Sequence, residues 1–124
     1  DCIIALRDYF QNKIYDTGNI EEASVYSKII YLILQEVSTL ETDYSKFAQN
    51  IYQAKLLALD TCQKELELIC DLLIGFAYSK IGVLEKAKKI YDNVLEEAER
   101  LVISNVVILA KYLKALLLID NMEV

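Results

Sequence analysis

Residues 71–98 read DLLIGFAYSKIGVLEKAKKIYDNVLEEA and predict two helices joined by a tight turn at Gly82. On both sides of that glycine, apolar residues recur at three- and four-residue steps, the spacing of one face of an α-helix. The first set is Leu73, Phe76, Ala77 and Ile81, and the second is Leu84, Ala87, Tyr91, Val94 and Leu95. Gly82 stands where the first helix must end, because glycine accepts the left-handed backbone of many helix ends. The segment therefore predicts a helical hairpin, with the small residues Gly75 and Ala87 where the two helices approach.

This hairpin resembles a tetratricopeptide repeat, a helix–turn–helix unit of about 34 residues. The family pattern of small, aromatic, glycine, small and aromatic residues is matched in order and spacing by Gly75, Tyr78, Gly82, Ala87 and Tyr91. Asp71 stands where the family has Trp, Val94 stands where it has Ala, and no Pro follows the second helix. The resemblance implies an array of helix pairs wound into a right-handed superhelix.

The composition indicates an all-α fold in a single domain. The chain has 124 residues, of which 55% are hydrophobic, with no Pro and three Gly. A chain of this length forms one domain and buries roughly two-thirds of the surface that its unfolded form exposes. Few runs of β-branched residues occur, the main one lying at 102–108. Helices with short joints are the expected architecture.

The charge pattern does not favour direct nucleic-acid binding. The net charge is −6, and affinity for nucleic acids depends largely on Lys and Arg that neutralise phosphates. The densest basic group, Lys86, Lys88 and Lys89, is followed at once by Glu96, Glu97 and Glu99. We interpret this mixture as the solvated face of a helix.

The cysteines indicate free thiols in a reducing compartment, so a cytoplasmic location is expected. Cys2, Cys62 and Cys70 make an odd number without a paired motif, and no His exists to complete a zinc site. No signal peptide is visible, yet the sequence opens on Asp1 rather than Met. We therefore expect a processed product or a segment of a longer protein, whose targeting segment would then be missing.

The mostly apolar run at 101–119 is about long enough to cross a bilayer. Lys111 and Lys114 lie inside it, and each mid-helix Lys costs about 2.5–3.5 kcal/mol on an insertion scale. A buried helix with one solvated edge is the expectation, and no membrane span is predicted.

The N-terminal third predicts a second hairpin. A first helix covers 1–16, the segment 17–19 breaks it, and a long second helix runs from Ile20 to about Ser38. The joint at 18–23 parallels the joint at 82–87, since both read Gly, any residue, aliphatic, Glu, any residue, Ala. The tetratricopeptide resemblance is weaker here, because the other pattern positions hold Gln11, Ile14 and Ser27.

A polar loop at 38–43 ends the second helix, and Thr42 or Asp43 caps a third helix that runs to about Leu59. Asp60, followed three residues later by Gln63, has the form of a capping box, which places the start of a fourth helix there. The alternative is one uninterrupted helix over 43–81, which would be unusually long for a globular domain.

The remaining chain completes three antiparallel pairs. The fifth helix runs over 84–100, and the sixth begins near Ile103 or Ser104 and continues to Ile119. The last five residues, 120–124, have the form of another turn and helix. We predict about six helices in one tetratricopeptide-like domain over 1–124, as part of a longer protein, with the third and fourth helices as a degenerate repeat.

Side chains that commonly carry catalysis are missing. Without His there is no Ser–His or Cys–His pair and no imidazole metal site. Three scattered glycines build neither phosphate-loop motif. The acidic pairs Glu21–Glu22 and Glu96–Glu97 are adjacent residues that point about 100° apart on a helix. We predict no enzymatic activity, no cofactor and no metal ion.

Nine tyrosines are open to two interpretations. Tyr78 and Tyr91 are expected to pack in the core, where the repeat has aromatic residues. Tyr44, Tyr52 and Tyr112 are among those that could equally lie on a recognition surface, where Tyr offers a large area and a polar tip.

The resemblance implies a ligand groove along the first helix of each pair. Carried over by spacing from the two glycine joints, the groove residues are Leu72, Phe76, Ser79, Lys80, Asp8, Asn12 and Tyr15. Chaperone-binding members grip a C-terminal carboxylate with Lys and Asn at the positions of Leu72 and Phe76, so no such clamp is expected here. An amphipathic or basic peptide would suit this groove. The alternative is that Leu72 and Phe76 pack against a neighbouring helix pair.

Three hypotheses for the function follow. The first is a non-catalytic scaffold module of tetratricopeptide type that binds a protein or peptide ligand. The second is a peptide-sensing regulatory domain of a transcription regulator, and the third is a helical enzyme domain. Homodimerisation through the terminal helices is also expected if the array leaves the apolar face of its last helix open, with Leu113, Leu116 and Leu117.

Overall fold

The structure is a computed structural model that describes residues 43–121, with the side chains of residues 43–119. This range forms four α-helices and contains no strand. They are α1 (Tyr44–Asp60), α2 (Lys64–Ile81), α3 (Leu84–Leu101) and α4 (Ser104–Asn121). The all-α prediction is confirmed, and these helices match the predicted third to sixth helices closely. The predicted first two helices and the Gly18 joint lie outside the described residues.

The start of α1 and the break after it can be compared with the sequence predictions. Asp43 caps α1, because its Oδ1 accepts a hydrogen bond from the Lys46 backbone N–H at 3.0 Å. The predicted capping box at Asp60 is wrong. Asp60 is the last residue of α1, and Gln63 precedes α2 without a side-chain cap hydrogen bond. The uninterrupted helix is wrong as well, because the backbone takes a left-handed conformation at Cys62, with φ +57°.

The three joints have the same local geometry. Each helix ends in one left-handed residue, and the φ values are +57° at Cys62, +98° at Gly82 and +58° at Val102. The next N–H then donates to a carbonyl oxygen five residues back, which closes a Schellman motif. These bonds are Gln63 to Ala58 at 2.8 Å, Val83 to Tyr78 at 2.9 Å and Ile103 to Ala98 at 2.9 Å. Only one of the three joints carries the expected glycine.

Equal helix lengths make the array periodic. The helices begin 20 residues apart, at 44, 64, 84 and 104, so a hairpin of two helices repeats every 40 residues. This hairpin period exceeds the period of about 34 residues of the tetratricopeptide repeat. We call α1–α2 the first hairpin and α3–α4 the second.

Burial follows the same 40-residue period. The buried positions of α1 recur in α3, and they are Phe47, Ile51, Ala54 and Ala58 against Ala87, Tyr91, Val94 and Ala98. Likewise α2 and α4 share a set: Leu66, Cys70, Leu73 and Ala77 against Val106, Ala110, Leu113 and Leu117. Only three of the residues at matching positions of the two hairpins are identical, namely Lys46/Lys86, Ala58/Ala98 and Leu73/Leu113. The repeat therefore preserves the buried face more than the residues.

The helices pack in sequence order. Each helix contacts the next one, and α2 also contacts α4, whereas no close backbone contact joins α1 to α3. As the most central of the four helices, α2 buries Leu68, Ile69 and Leu72 in addition to its repeating set. The separation of α1 from α3 leaves one side of α2 less covered.

Candidate functional site

The predicted groove on α2 is only partly open. Leu72 is 0% exposed, so its side chain packs in the core, as the alternative interpretation had it. Ser79 lies at the surface but donates its hydroxyl to the Phe76 carbonyl oxygen of its own helix at 2.6 Å. Of the predicted residues within the described range, Phe76 and Lys80 are the ones that offer a contact surface. Asp8, Asn12 and Tyr15 lie outside the described residues.

Phe76 belongs to a small cluster at one edge of the first hairpin. Its ring meets the Tyr44 ring edge-on, with centroids 6.3 Å apart, and the Lys80 Nζ lies 5.4 Å from its centroid. Phe76 is half-buried against the core, and Lys80 is exposed. The cluster has an apolar face and a positive rim.

A larger cleft lies on the opposite edge of the same hairpin. Ile74 forms part of its wall, and Ile74 points about 200° away from Phe76 around α2. The cleft has a volume of about 470 Å³ and is lined by Ser45, Ala48, Gln49, Tyr52, Gln53, Ile74, Tyr78 and Ile81. Five of these residues come from α1 and three from α2, each set at helical spacing. We call it the α1–α2 cleft.

Two tyrosines dominate the cleft, and each carries a lysine. The Lys86 Nζ of α3 lies 4.4 Å from the centroid of the Tyr78 ring. The Lys55 Nζ lies 5.9 Å from the centroid of the Tyr52 ring. Tyr52 is about half exposed and Tyr78 is partly buried, so both rings are accessible from the cleft. The cleft is therefore apolar and aromatic, with neutral polar side chains from α1 and cations beside its rings.

An ion pair closes one end of the cleft. The Lys55 Nζ lies 2.7 Å from Asp71 Oδ1 and joins α1 to α2. Burial raises the pKa of the Asp71 carboxyl group, and Lys55 only partly opposes this. Burial lowers the pKa of Lys55, but the hydrogen bond and charge of Asp71 outweigh that effect and raise it. The pair thus favours a charged Lys55, whereas burial still disfavours a charged Asp71.

The matching surface of the second hairpin has different chemistry. Forty residues after Tyr52 and Ile74 stand Asp92 and Lys114, whose Oδ1 and Nζ lie 2.6 Å apart. Ala48 is matched by the exposed Lys88. The same hairpin geometry therefore accepts charged residues at these positions, and the fold does not require the apolar residues of the α1–α2 cleft.

Another apolar surface lies on the outer side of α4. Leu113 and Leu117 are buried and Leu116 is half-buried, so the predicted open face with these residues is wrong. The exposed apolar residues are Ile108, Tyr112, Leu118 and Ile119 instead. A shallow pocket of about 240 Å³ borders the start of this face and is lined by Glu99, Val102, Ser104, Val107 and Ile108. Homodimerisation through the terminal helices stays a prediction.

The two described thiols differ in environment. Cys62 is exposed at the first joint, whereas Cys70 is fully buried, and burial raises its pKa to about 12. Within residues 43–119, no group of three Cys, Asp or Glu side chains is placed to hold a metal ion. In the same range, no helix is long and apolar enough to cross a membrane.

Comparison of the chain with protein-family models, with curated proteins and with solved structures gave no match. The class that the structure itself defines is an all-α array of regularly spaced helices.

Sequence reasoning missed the α1–α2 cleft because its apolar residues look like core residues. Tyr52 and Ile74 occur at helical spacing beside buried positions, and only the way α1 crosses α2 leaves them accessible. The available signal was the 40-residue period, since aligning residues 44–83 with 84–123 places Tyr52 and Ile74 opposite Asp92 and Lys114. The three identities in that alignment are too few to reveal the period without the structure.

Proposed function

We propose that the chain is a non-catalytic module that binds a protein or peptide segment, and that the α1–α2 cleft is its binding surface. One observation carries the proposal: the cleft is open and apolar in the first hairpin, whereas the matching surface of the second hairpin holds an ion pair. An apolar surface that the fold does not need, left accessible to water, is typical of an interaction site.

The chemistry of the lining suits binding. Tyr52 and Tyr78 offer large areas with polar tips, which is the side-chain type that interfaces favour. Gln49 and Gln53 can donate and accept hydrogen bonds at the edge, and thus fix the orientation of a ligand. No lining residue carries a carboxylate, an ammonium or a thiol.

The proposal includes an array of tetratricopeptide type, with about six helices in a right-handed superhelix and one domain over 1–124. The contact between α2 and α4 supports it, because alternate helices in such an array lie side by side. The five-residue match around Gly82 supports it too, although the hairpin period of 40 residues differs from the family length.

The Phe76 cluster is a second candidate surface within the same function. Its exposed Lys80 and half-buried ring form a smaller contact area than the cleft. A ligand that bridges both edges of the first hairpin would use both surfaces.

The experiment selects peptides from an unbiased displayed library on the intact chain and measures their affinity by fluorescence anisotropy. The key variant is Tyr52→Asp with Ile74→Lys, which transfers the Asp92–Lys114 pair of the second hairpin into the cleft. We expect this double variant to keep its helicity and to lose at least about tenfold in affinity, because the apolar contact area is lost.

Phe76→Glu with Lys80→Glu is the matched variant for the other edge of the hairpin. Binding that is lost there and retained in the cleft variant moves the site to the Phe76 cluster. If the library yields no peptide whose binding depends on either pair, the proposed function is rejected. Circular dichroism of each variant checks that the helices are intact.

A further inference from the structure

The α1–α2 cleft has a charge preference that its lining and surroundings define together. The eight lining residues include no carboxylate, although the chain as a whole carries 19 acidic residues and a net charge of −6. The charged groups nearest its two rings are the ammonium groups of Lys55 and Lys86. A ligand in the cleft therefore meets positive charge in a protein that is negative overall.

The two lysines differ in their availability. Lys55 is held by Asp71 at 2.7 Å, which neutralises its charge. Lys86 is exposed over the Tyr78 ring, and within the described residues it pairs with no carboxylate. Lys86 is therefore the cation that a ligand in the cleft can pair with.

The dimensions and walls of the cleft indicate the shape of the ligand. From Ser45 to Gln53 the α1 wall rises about 12 Å, which equals about two turns of a helix. Both walls are α-helices, whose backbone groups are already paired within each helix, so an extended segment would find few backbone partners. A helical ligand satisfies its own backbone and can pack along the groove between two helices.

We propose that the cleft binds one amphipathic helix of another protein, with apolar residues at i, i+3 or i+4, and i+7 and a carboxylate beside them that pairs with Lys86. This inference rests on the proposed function and adds the ligand class. It differs from the expectation of an amphipathic or basic peptide for the Phe76 edge, because the charge beside the α1–α2 cleft is positive.

The test uses the intact chain and two synthetic helical peptides of about 16 residues, long enough to retain some helix in water. They share one apolar stripe and differ only in a Glu or a Lys beside it. By fluorescence anisotropy we expect the Glu peptide to bind about tenfold more tightly, because one peptide gains the attraction of Lys86 and the other suffers its repulsion. Added salt should reduce the difference.

Lys86→Glu should reverse the preference between the two peptides. Lys88→Glu is the matched control, since Lys88 is also exposed and lies about 200° away around α3. Equal affinities for the two peptides, both abolished by Tyr52→Asp with Ile74→Lys, would overturn the charge preference and leave the proposed function standing. No binding of either peptide, or binding that ignores the cleft variant, would overturn the inference, while the library selection still decides the proposed function.

A photo-reactive benzoylphenylalanine placed at Gln49 identifies the occupant directly. A cross-link to the Glu peptide supports the proposal. A cross-link to a second copy, or to the residues before 43 in the same chain, assigns the cleft to that occupant and overturns it.

Discussion

The contact between Gly75 and Tyr91 explains why a residue that weakens helices stands in the middle of α2. A Cβ atom built on Gly75 would lie 2.7 Å from Tyr91 Cε1 and 3.2 Å from Ile90 Cγ2. The Tyr91 ring is fully buried and cannot move aside easily. Close packing of α2 on α3 thus depends on the missing side chain. The matching position of the second hairpin, Ala115, is exposed and holds the residue that helices prefer.

Gly75→Ala is expected to lower the free energy of unfolding by about 1–2 kcal/mol, because the strain of overpacking exceeds the gain of about 1 kcal/mol in helix propensity. Urea unfolding measures the change. In a Tyr91→Leu background the same substitution should be neutral or stabilising, since the clashing ring atom is gone. Ala115→Gly should destabilise by about 1 kcal/mol through propensity alone, and equal effects at 75 and 115 with the same sign would contradict the role of Tyr91.

The ion pair of Lys55 and Asp71 gives a prediction for the pH dependence of stability. The pKa of Asp71 is raised by burial, so its contribution is greatest below the unfolded value near 3.9 and is lost as the pH rises through the folded pKa. We expect the free energy of unfolding of the wild type, relative to Asp71→Asn, to fall between about pH 3 and about pH 6.

The alkaline side has the opposite cause. The pKa of Lys55 is raised by Asp71, so the stability that it contributes is present at neutral pH and is lost as the pH rises through its folded value, above 10.5. Chemical unfolding at several pH values, with Asp71→Asn as the reference, measures both limbs. A relative stability that rises between about pH 3 and about pH 6 would show that the ion pair, and not burial, controls Asp71.

At the level of the helices, the joints set the length and register of the array. The same Schellman motif follows Asp60, Ile81 and Leu101, yet its left-handed residue is Cys62, Gly82 and Val102 in turn. The left-handed conformation costs an L-residue about 1–2 kcal/mol, and valine is an especially poor occupant because its Cβ is branched. The third joint is therefore kept by its hydrogen bonds against the preference of its own residue.

Val102→Gly is expected to raise the free energy of unfolding by up to about 1 kcal/mol. The valine side chain is 80% exposed, so its removal loses little buried surface. Gly82→Ala should lower stability by about 1–2 kcal/mol through the backbone alone, since no atom lies within 4 Å of the added Cβ. Urea midpoints of the two variants test the pair, and a stabilising Gly82→Ala would contradict the left-handed joint.

The joints also mark what could be predicted from the sequence at this scale. The end of α2 was predictable because glycine marks a left-handed residue. The ends of α1 and α3 were approximated from helix length and nearby polar residues, which placed the start of α2 at Asp60 rather than Lys64. Cys62 and Val102 carry no local signal for the conformation that they adopt, because tertiary packing imposes it.

For the whole molecule, the all-α class followed from composition and spacing, whereas the 40-residue period did not. The buried face repeats through different residues, such as Phe47 opposite Ala87 and Ile51 opposite Tyr91, so each hairpin fills the same space with another combination of volumes. The α1–α2 cleft was not predictable, because the exposure of Tyr52 and Ile74 depends on how α1 and α2 cross. The groove taken from the resemblance included Leu72, whose burial follows from the packing of α2 against three other helices.

The outer side of α4 shows what the period implies for the rest of such an array. Ile108 and Tyr112 are exposed there, while the residues 40 positions earlier, Leu68 and Leu72, are buried. Because each joint restores the same backbone register, a gene duplication that added 40 codons between two left-handed joints would extend the stack by one hairpin without disturbing the existing one. Length in this architecture can thus change in whole units, while a single-hairpin feature such as the α1–α2 cleft diverges independently of its neighbours.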